Sequence, residues 1–246
     1  MDSDSTGIRK SGYSVPPVVT PFGYDDPARF RPEAPPALDS KTYTIDYNEI
    51  KDLGRATGTS RTDEQSATAQ FWSPSARALW SANVRSLAAT MDLLTAARFE
   101  AIGIAAVTNA TIAVWDAKYT YMFWRPVTAI RAGDTDGNPK TESDPAWTSF
   151  IITPSHPEYP AAHTTSGASA LGFYTVWFGT DQFPLAFKGN GGVVRYYTSV
   201  NEIHADEGNA RVWGGMHYRN STEVGTSVGS KVGKYTATHL LRPLHE

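Results

Sequence analysis

An all-α fold, with helix dominating one domain, is the class that three features of this sequence predict. A stretch rich in Ala and Leu runs from Leu94 to Tyr119 with few breakers. Two helix-start signals, at Thr62 and at Ser73, precede apolar residues at helical spacing. The chain after Pro160 and again from Ser221 to Leu241 also reads as helix. No short repeat appears and no Pro/Gly linker divides the charged motifs, so a single domain carries them.

Taken in order, residues 1–40 form a proline-rich arm. The segments SVPPVVTPFGY and FRPEAPPALDS favour extended and turn backbone, with Phe22, Tyr24 and Phe30 available to cover apolar surface. Residues 41–246 follow as the helical domain. Thr62 and Asp63 open one helix; Ser73 before Pro74 reads as an N-cap with proline at the first position of another, which carries Leu79, Val84, Leu87 and Ala88. The long helix then ends near Lys118. Pro126 disfavours helix in Arg125, so a break is expected there before VTAIR resumes. RAGDTDGNPKTESDPAW carries Asp-Gly and Asn-Pro turn signals and reads as a surface loop; its D-x-D-G fragment lacks the other ligands of a calcium loop. AAHTTSGASALGFYTVWFG starts a helix whose first turn holds His163, and Gly214 and Gly215 interrupt the next one just before His217.

Composition bounds the function. The 246 residues are 40% hydrophobic with seven Trp and twelve Tyr, enough for a substantial core. A net charge of −3 gives no footprint for nucleic acid. The absence of cysteine excludes disulfides, thiolate nucleophiles and Cys-ligated metals. The N-terminus lacks the apolar core of a signal peptide and no run of apolar residues is long enough for a transmembrane segment, so a soluble protein is expected, its compartment open.

Chemistry concentrates in three places. Lys118 stands seven residues before Arg125 in KYTYMFWRPVTAIR, His163 lies in HPEYPAAHTTSGA, and Arg211 stands six residues before His217 in ARVWGGMHYR. Two guanidinium forks and one ammonium can neutralise a group with several anionic oxygens. Two histidines can divide the remaining work, one bonding the central atom through a neutral ring nitrogen and the other exchanging protons.

These segments, in this order, resemble the three-part signature of the superfamily that unites vanadium-dependent haloperoxidases with type 2 phosphatidic acid phosphatases, over about residues 20 to 241. The resemblance implies a helical bundle with the anion pocket between neighbouring helices. It implies that Lys118, Arg125 and Arg211 bind the oxygens of vanadate, or of phosphate in the same pocket. His217 would bond vanadium in a peroxidase or attack phosphorus in a phosphatase, and His163 would be the acid-base group. The middle signature usually reads Pro-Ser-Gly-His, whereas this chain has Pro160-Ala161-Ala162-His163, so one serine hydroxyl is missing and backbone N–H groups at Ala161 and Ala162 remain. Many relatives place an acidic residue four positions after the last histidine, where this chain has Ser221; Asp63 or Glu64 is the candidate orienting carboxylate in its place. Seven positions before His163 stands His156, where chloroperoxidases carry an aromatic and algal bromoperoxidases tend to carry histidine.

Three functions are open at this point. The first is a haloperoxidase that uses vanadate and hydrogen peroxide to oxidise halide, bromide favoured, to a hypohalous species that attacks a small organic acceptor. The second is an acid phosphatase acting on phosphate monoesters through a phosphohistidine. The third is a noncatalytic anion-binding or oligomerising relative. Relatives in the soluble branch usually extend further at the N-terminus, and a homodimer would offset helices missing here.

Overall fold

The computed structural model describes residues 19–242. Its framework is helical throughout, with one small antiparallel hairpin. Helix α1 (Lys41–Leu53) is capped by Ser40, and α2 (Asp63–Phe71) opens on a reciprocal capping box between Thr62 and Gln65. Helix α3 (Ala76–Ala88) begins later than the Ser73-Pro74 signal places it. Ser73 donates its N–H to Gln70 O and so belongs to the closing turn of α2, leaving Pro74 in the connection.

Helix α4 (Leu93–Tyr121) is the expected long helix, capped by Asp92 and ended by Met122 in the left-handed conformation. Its most apolar window is hydrophobic enough to cross a bilayer by composition, and 56% of that window is buried within the protein, as in a core helix. The short α5 (Pro126–Arg131) starts at Pro126 with Arg125 as its extended N-cap. Helix α6 (Ala162–Phe178) is buried along most of its length, and α7 (Val200–Trp213) and α8 (Arg219–His239) complete the bundle. Helices α6 and α8 meet through small residues: a Cβ on Gly229 would lie 2.1 Å from Thr165 O, so the helices approach to backbone contact.

Between α6 and α7 stand β1 (Gln182–Lys188) and β2 (Val194–Ser199), which the helical reading did not anticipate. Alternation explains them: Leu185 and Phe187 turn inward while their neighbours face out, and Gly-Asn-Gly-Gly supplies the turn. Asp206 ties the hairpin down by accepting from Arg195, from the Tyr197 hydroxyl and, at 2.9 Å, from Trp72 Nε1.

Two apolar clusters flank the region where the signature segments meet. One centres on Trp72, Trp80, Phe99, Phe173 and Phe187, the other on Tyr43, Tyr47, Ile130, Trp147 and Tyr218. The described part of the arm packs on the bundle. Phe22 exchanges both backbone hydrogen bonds with the Asn109 side chain, Arg31 grips Asp116 through two contacts of 2.7 Å, and Tyr24 and Phe30 meet Tyr235 edge-on. The rest of the arm, residues 1–18, lies outside the described residues.

Candidate oxyanion site

Each signature residue sits where a helix ends or begins. Lys118 lies in the last turn of α4, and Met122 N–H closes that turn on its carbonyl. Arg125 precedes Pro126, and His163 occupies the first turn of α6 behind the N-cap Ala161. Arg211 lies in the last turn of α7. The chain then reverses through Gly214 and Gly215 to His217. Gly215 has φ +78° and its α-carbon side faces Gly54 O, where a Cβ would come within 2.2 Å. Only glycine fits this turn without strain. Backbone bonds stitch the segments together: Glu158 N–H to Phe123 O at 2.9 Å and Ala161 N–H to Ser221 O at 3.1 Å.

The three cations are deeply buried, with Lys118 at 0%, Arg125 at 7% and Arg211 at 1% exposure. Backbone carbonyls hold them: Lys118 Nζ donates to Pro157 O and Glu158 O, Arg125 to His156 O and Met216 O, and Arg211 to Trp72 O. Carbonyl oxygens carry no full charge, so these bonds pair no cation with an anion, and the buried carboxylates of Glu158 and Glu207 act on the cations only through space. Burial lowers the pKa of all three, to about 10 for Arg125 and about 9 for Arg211. Concentrated, partly desolvated cations of this kind suit an anion with several oxygens.

Hydrogen bonds fix the histidine tautomers. Arginine can only donate. Arg125 Nη1 lies 3.0 Å from His217 Nε2, so that nitrogen carries a lone pair. The proton of His217 is therefore on Nδ1, where Glu158 Oε1 accepts it at 2.9 Å. Burial and the neighbouring cations hold the imidazole pKa far down, so this contact is a hydrogen bond from a neutral ring and not an ion pair. Burial likewise raises Glu158 to about 7, against the opposing pull of Lys118 and Arg125. Glu158 Oε1 also accepts from Tyr218 N–H at 3.1 Å.

His156 Nδ1 accepts from Arg125 Nη2 at 3.0 Å, which leaves its proton on Nε2, and its ring packs on Trp115 with centroids 4.8 Å apart. Burial pushes its pKa down to about 2. His163 Nε2 donates to Pro74 O at 2.9 Å, and burial keeps its pKa well below the ordinary value. The segment from Trp72 to Pro74 thus joins Arg211 to His163, since one end accepts from each.

The structure brings Lys118, Arg125, His156 and His217 into one hydrogen-bonded group through the carbonyls of His156, Pro157, Glu158 and Met216. Arg211 and His163 join from the Trp72 side. Ala161 is buried and, contrary to expectation, its N–H is taken by Ser221 O, whereas half-buried Ala162 stands in the first turn of α6, whose N–H groups have no intrahelical acceptor. Asp63 and Glu64 do not belong here. They lie exposed in the first turn of α2, where Glu64 pairs with Arg195, so neither is the carboxylate on His217. Glu158 takes that place. Its signal in the sequence was an acidic residue between Pro157 and Pro160, inside the middle motif itself.

The family model described as the VCPO second helical-bundle domain matches residues 98–246, more than half of the chain. Among solved structures, one described as the first bacterial vanadium-dependent iodoperoxidase is 26% identical, with a TM-score of 0.74, covering 89% of this chain and 55% of that one. A holo-type bacterial vanadium-dependent chloroperoxidase is 19% identical with a TM-score of 0.70, covering 89% and 53%. The chain thus spans about half the length of these proteins. No curated protein matches it.

Proposed function

The chain belongs to the vanadium-dependent haloperoxidase superfamily, and on that footing we propose that it is a vanadate-dependent haloperoxidase with bromide as its favoured halide. One observation carries the reading: His217 Nε2 bears a lone pair among three buried cations, because Glu158 holds the proton on Nδ1. That donor set fits vanadate. The neutral His217 Nε2 would hold the vanadium, and Lys118, Arg125 and Arg211 would neutralise the oxygens. Bound vanadate supplies activation of hydrogen peroxide toward halide.

The chain's own residues do the rest. Arg125 donates to His217 Nε2 in this structure and serves an anion oxygen once that lone pair is engaged. Glu158 orients the His217 ring and raises the basicity of Nε2. Among the described residues His163 has no partner at Nδ1, which makes Nδ1 the atom that takes up and returns protons. His156 presents Nε2–H to a halide beside Arg125, and its neutral ring on Trp115 offers a soft, weakly hydrated contact suited to bromide.

The Glu158–His217 pair also supports a second reading. A carboxylate behind an imidazole strengthens Nε2 as a nucleophile, which a phosphatase working through phosphohistidine requires. Bromination of a phenolic dye by hydrogen peroxide and bromide, with and without orthovanadate, separates the two. Turnover that needs vanadate and disappears in His217→Ala supports the peroxidase. Hydrolysis of a phosphate monoester without peroxidase turnover moves the assignment to the phosphatase.

A further inference from the structure

A second buried carboxylate lies beneath the site. Glu207 stands on α7 one turn before Arg211, so the two side chains share a face of the helix. It is 1% exposed. Its Oε1 accepts from Trp80 Nε1 at 3.2 Å, and its Oε2 has no hydrogen-bond partner among the described residues. Against it stands Gly167 of α6, where a Cβ would come within 2.1 Å of Oε2 and 2.8 Å of Trp80 Nε1. Gly167 has ordinary helical backbone, so glycine here answers to space and not to conformation. Gly167 is also one turn beyond His163. Helix α6 is therefore notched to admit a carboxylate below the turns that carry His163 and Arg211.

Arg211 is short of partners as well. Nη1 donates to Trp72 O and Nη2 to Met216 Sδ, while Nε is buried with no partner among the described residues. Among the described residues, few other charges act on Glu207. From α7 itself come Arg211 and Asp206, and Asp206 is already held by Arg195. From α3 comes the uncharged Trp80, and from α6 comes Gly167, which has no side chain. The charge of Glu207 thus decides how much positive field Arg211 presents.

We propose that Glu207 is a positioning residue for Arg211 that holds a proton while a doubly charged tetrahedral oxyanion is bound, and so sets the affinity of the site for that class of anion. This rests on the oxyanion reading above. Burial pushes the carboxyl up to about 8, with Trp80 and Arg211 opposing. An anion at Arg211 adds negative charge, favours the protonated carboxyl, and couples binding to proton uptake.

Tungstate is the probe, since it remains a dianion through neutral and alkaline pH. Its affinity for the full chain is measured by calorimetry from roughly pH 6.5 to 9. Wild-type affinity is expected to fall with rising pH, by up to about tenfold per pH unit above about 8. Glu207→Gln keeps the shape and the Trp80 contact, and much of that dependence is expected to vanish. Calorimetry of the wild type in buffers of different ionisation enthalpy is expected to show proton uptake near pH 8, a readout that needs no variant. Equal pH dependence in the two proteins overturns the proposal, as does binding without proton uptake. Failure of tungstate to bind the wild type at any pH overturns the oxyanion reading itself.

Discussion

A neutral imidazole bonds an electrophile only through the nitrogen that carries no proton, and in His217 two neighbours choose that nitrogen. Arg125 requires an acceptor at Nε2 and Glu158 requires a donor at Nδ1. Glu158→Gln keeps the volume and one acceptor oxygen but removes the charge and adds an NH2 group. Loss of such a supporting partner costs about 10- to 100-fold in affinity or activity, and orthovanadate titration together with peroxidase rate measures it; unchanged values in a folded variant contradict the role. Ala161 offers the opposite test. Ala161→Ser places a hydroxyl at the N-cap of α6, and one neutral hydrogen bond contributes about 0.5–1.5 kcal/mol. Orthovanadate is expected to bind up to about tenfold more tightly, and equal affinity would show that the hydroxyl does not reach the anion. The cations and both signature histidines were legible as residue types at fixed spacing. Glu158 and Glu207 were not, because a buried carboxylate is recognised by what surrounds it, and residues far apart in sequence supply those surroundings: Tyr218 and His217 for one, Gly167 and Trp80 for the other.

At the scale of elements, the turn from Trp213 to His217 aims the ligating histidine, and it depends on Gly215 at φ +78° against Gly54 O. Gly215→Ala is expected to cost on the order of 1–3 kcal/mol through left-handed strain, and more because the added carbon meets backbone. Chemical denaturation measures the loss, and a variant as stable as wild type would contradict this account of the turn. Helix boundaries followed the sequence where local chemistry settles them. Thr62 with Gln65, Pro126, and the Gly214-Gly215 pair each set a boundary near its expected place. Ser73 misled because the same residue type serves the closing turn of one helix as readily as the start of the next, and here Gln70 O captured its N–H. The β1–β2 hairpin was missed because its alternation is short, and because Asp206 of α7 and Trp72 just after α2, which hold it, are distant in sequence from at least one of its strands.

Across the whole molecule, a signature spread over about a hundred residues, from Lys118 to His217, converges because α4, α6 and α7 each present one end to the same place. Gathering buried acids and bases there leaves a pH signature in stability. Burial holds the Glu207 carboxyl above its ordinary value, at about 8. Its contribution to stability is therefore fully present below about pH 4.5 and is lost as pH rises through about 8. His156, pushed down to about 2, acts in the other sense: its contribution is present above about pH 6.5 and is lost as pH falls. The difference between wild type and Glu207→Gln isolates the carboxyl. The Tm of the variant relative to wild type is expected to climb between about pH 5 and 8, and a constant or shrinking difference in a pH series of thermal unfolding would contradict it. All of these effects presuppose one anion seat. The most direct test is a crystal structure of the protein soaked in orthovanadate. The expected result is vanadium bonded to His217 Nε2, with its oxygens met by Lys118, Arg125 and Arg211. An anion bound elsewhere, or a pocket that stays closed on Arg125 and His217, would contradict it.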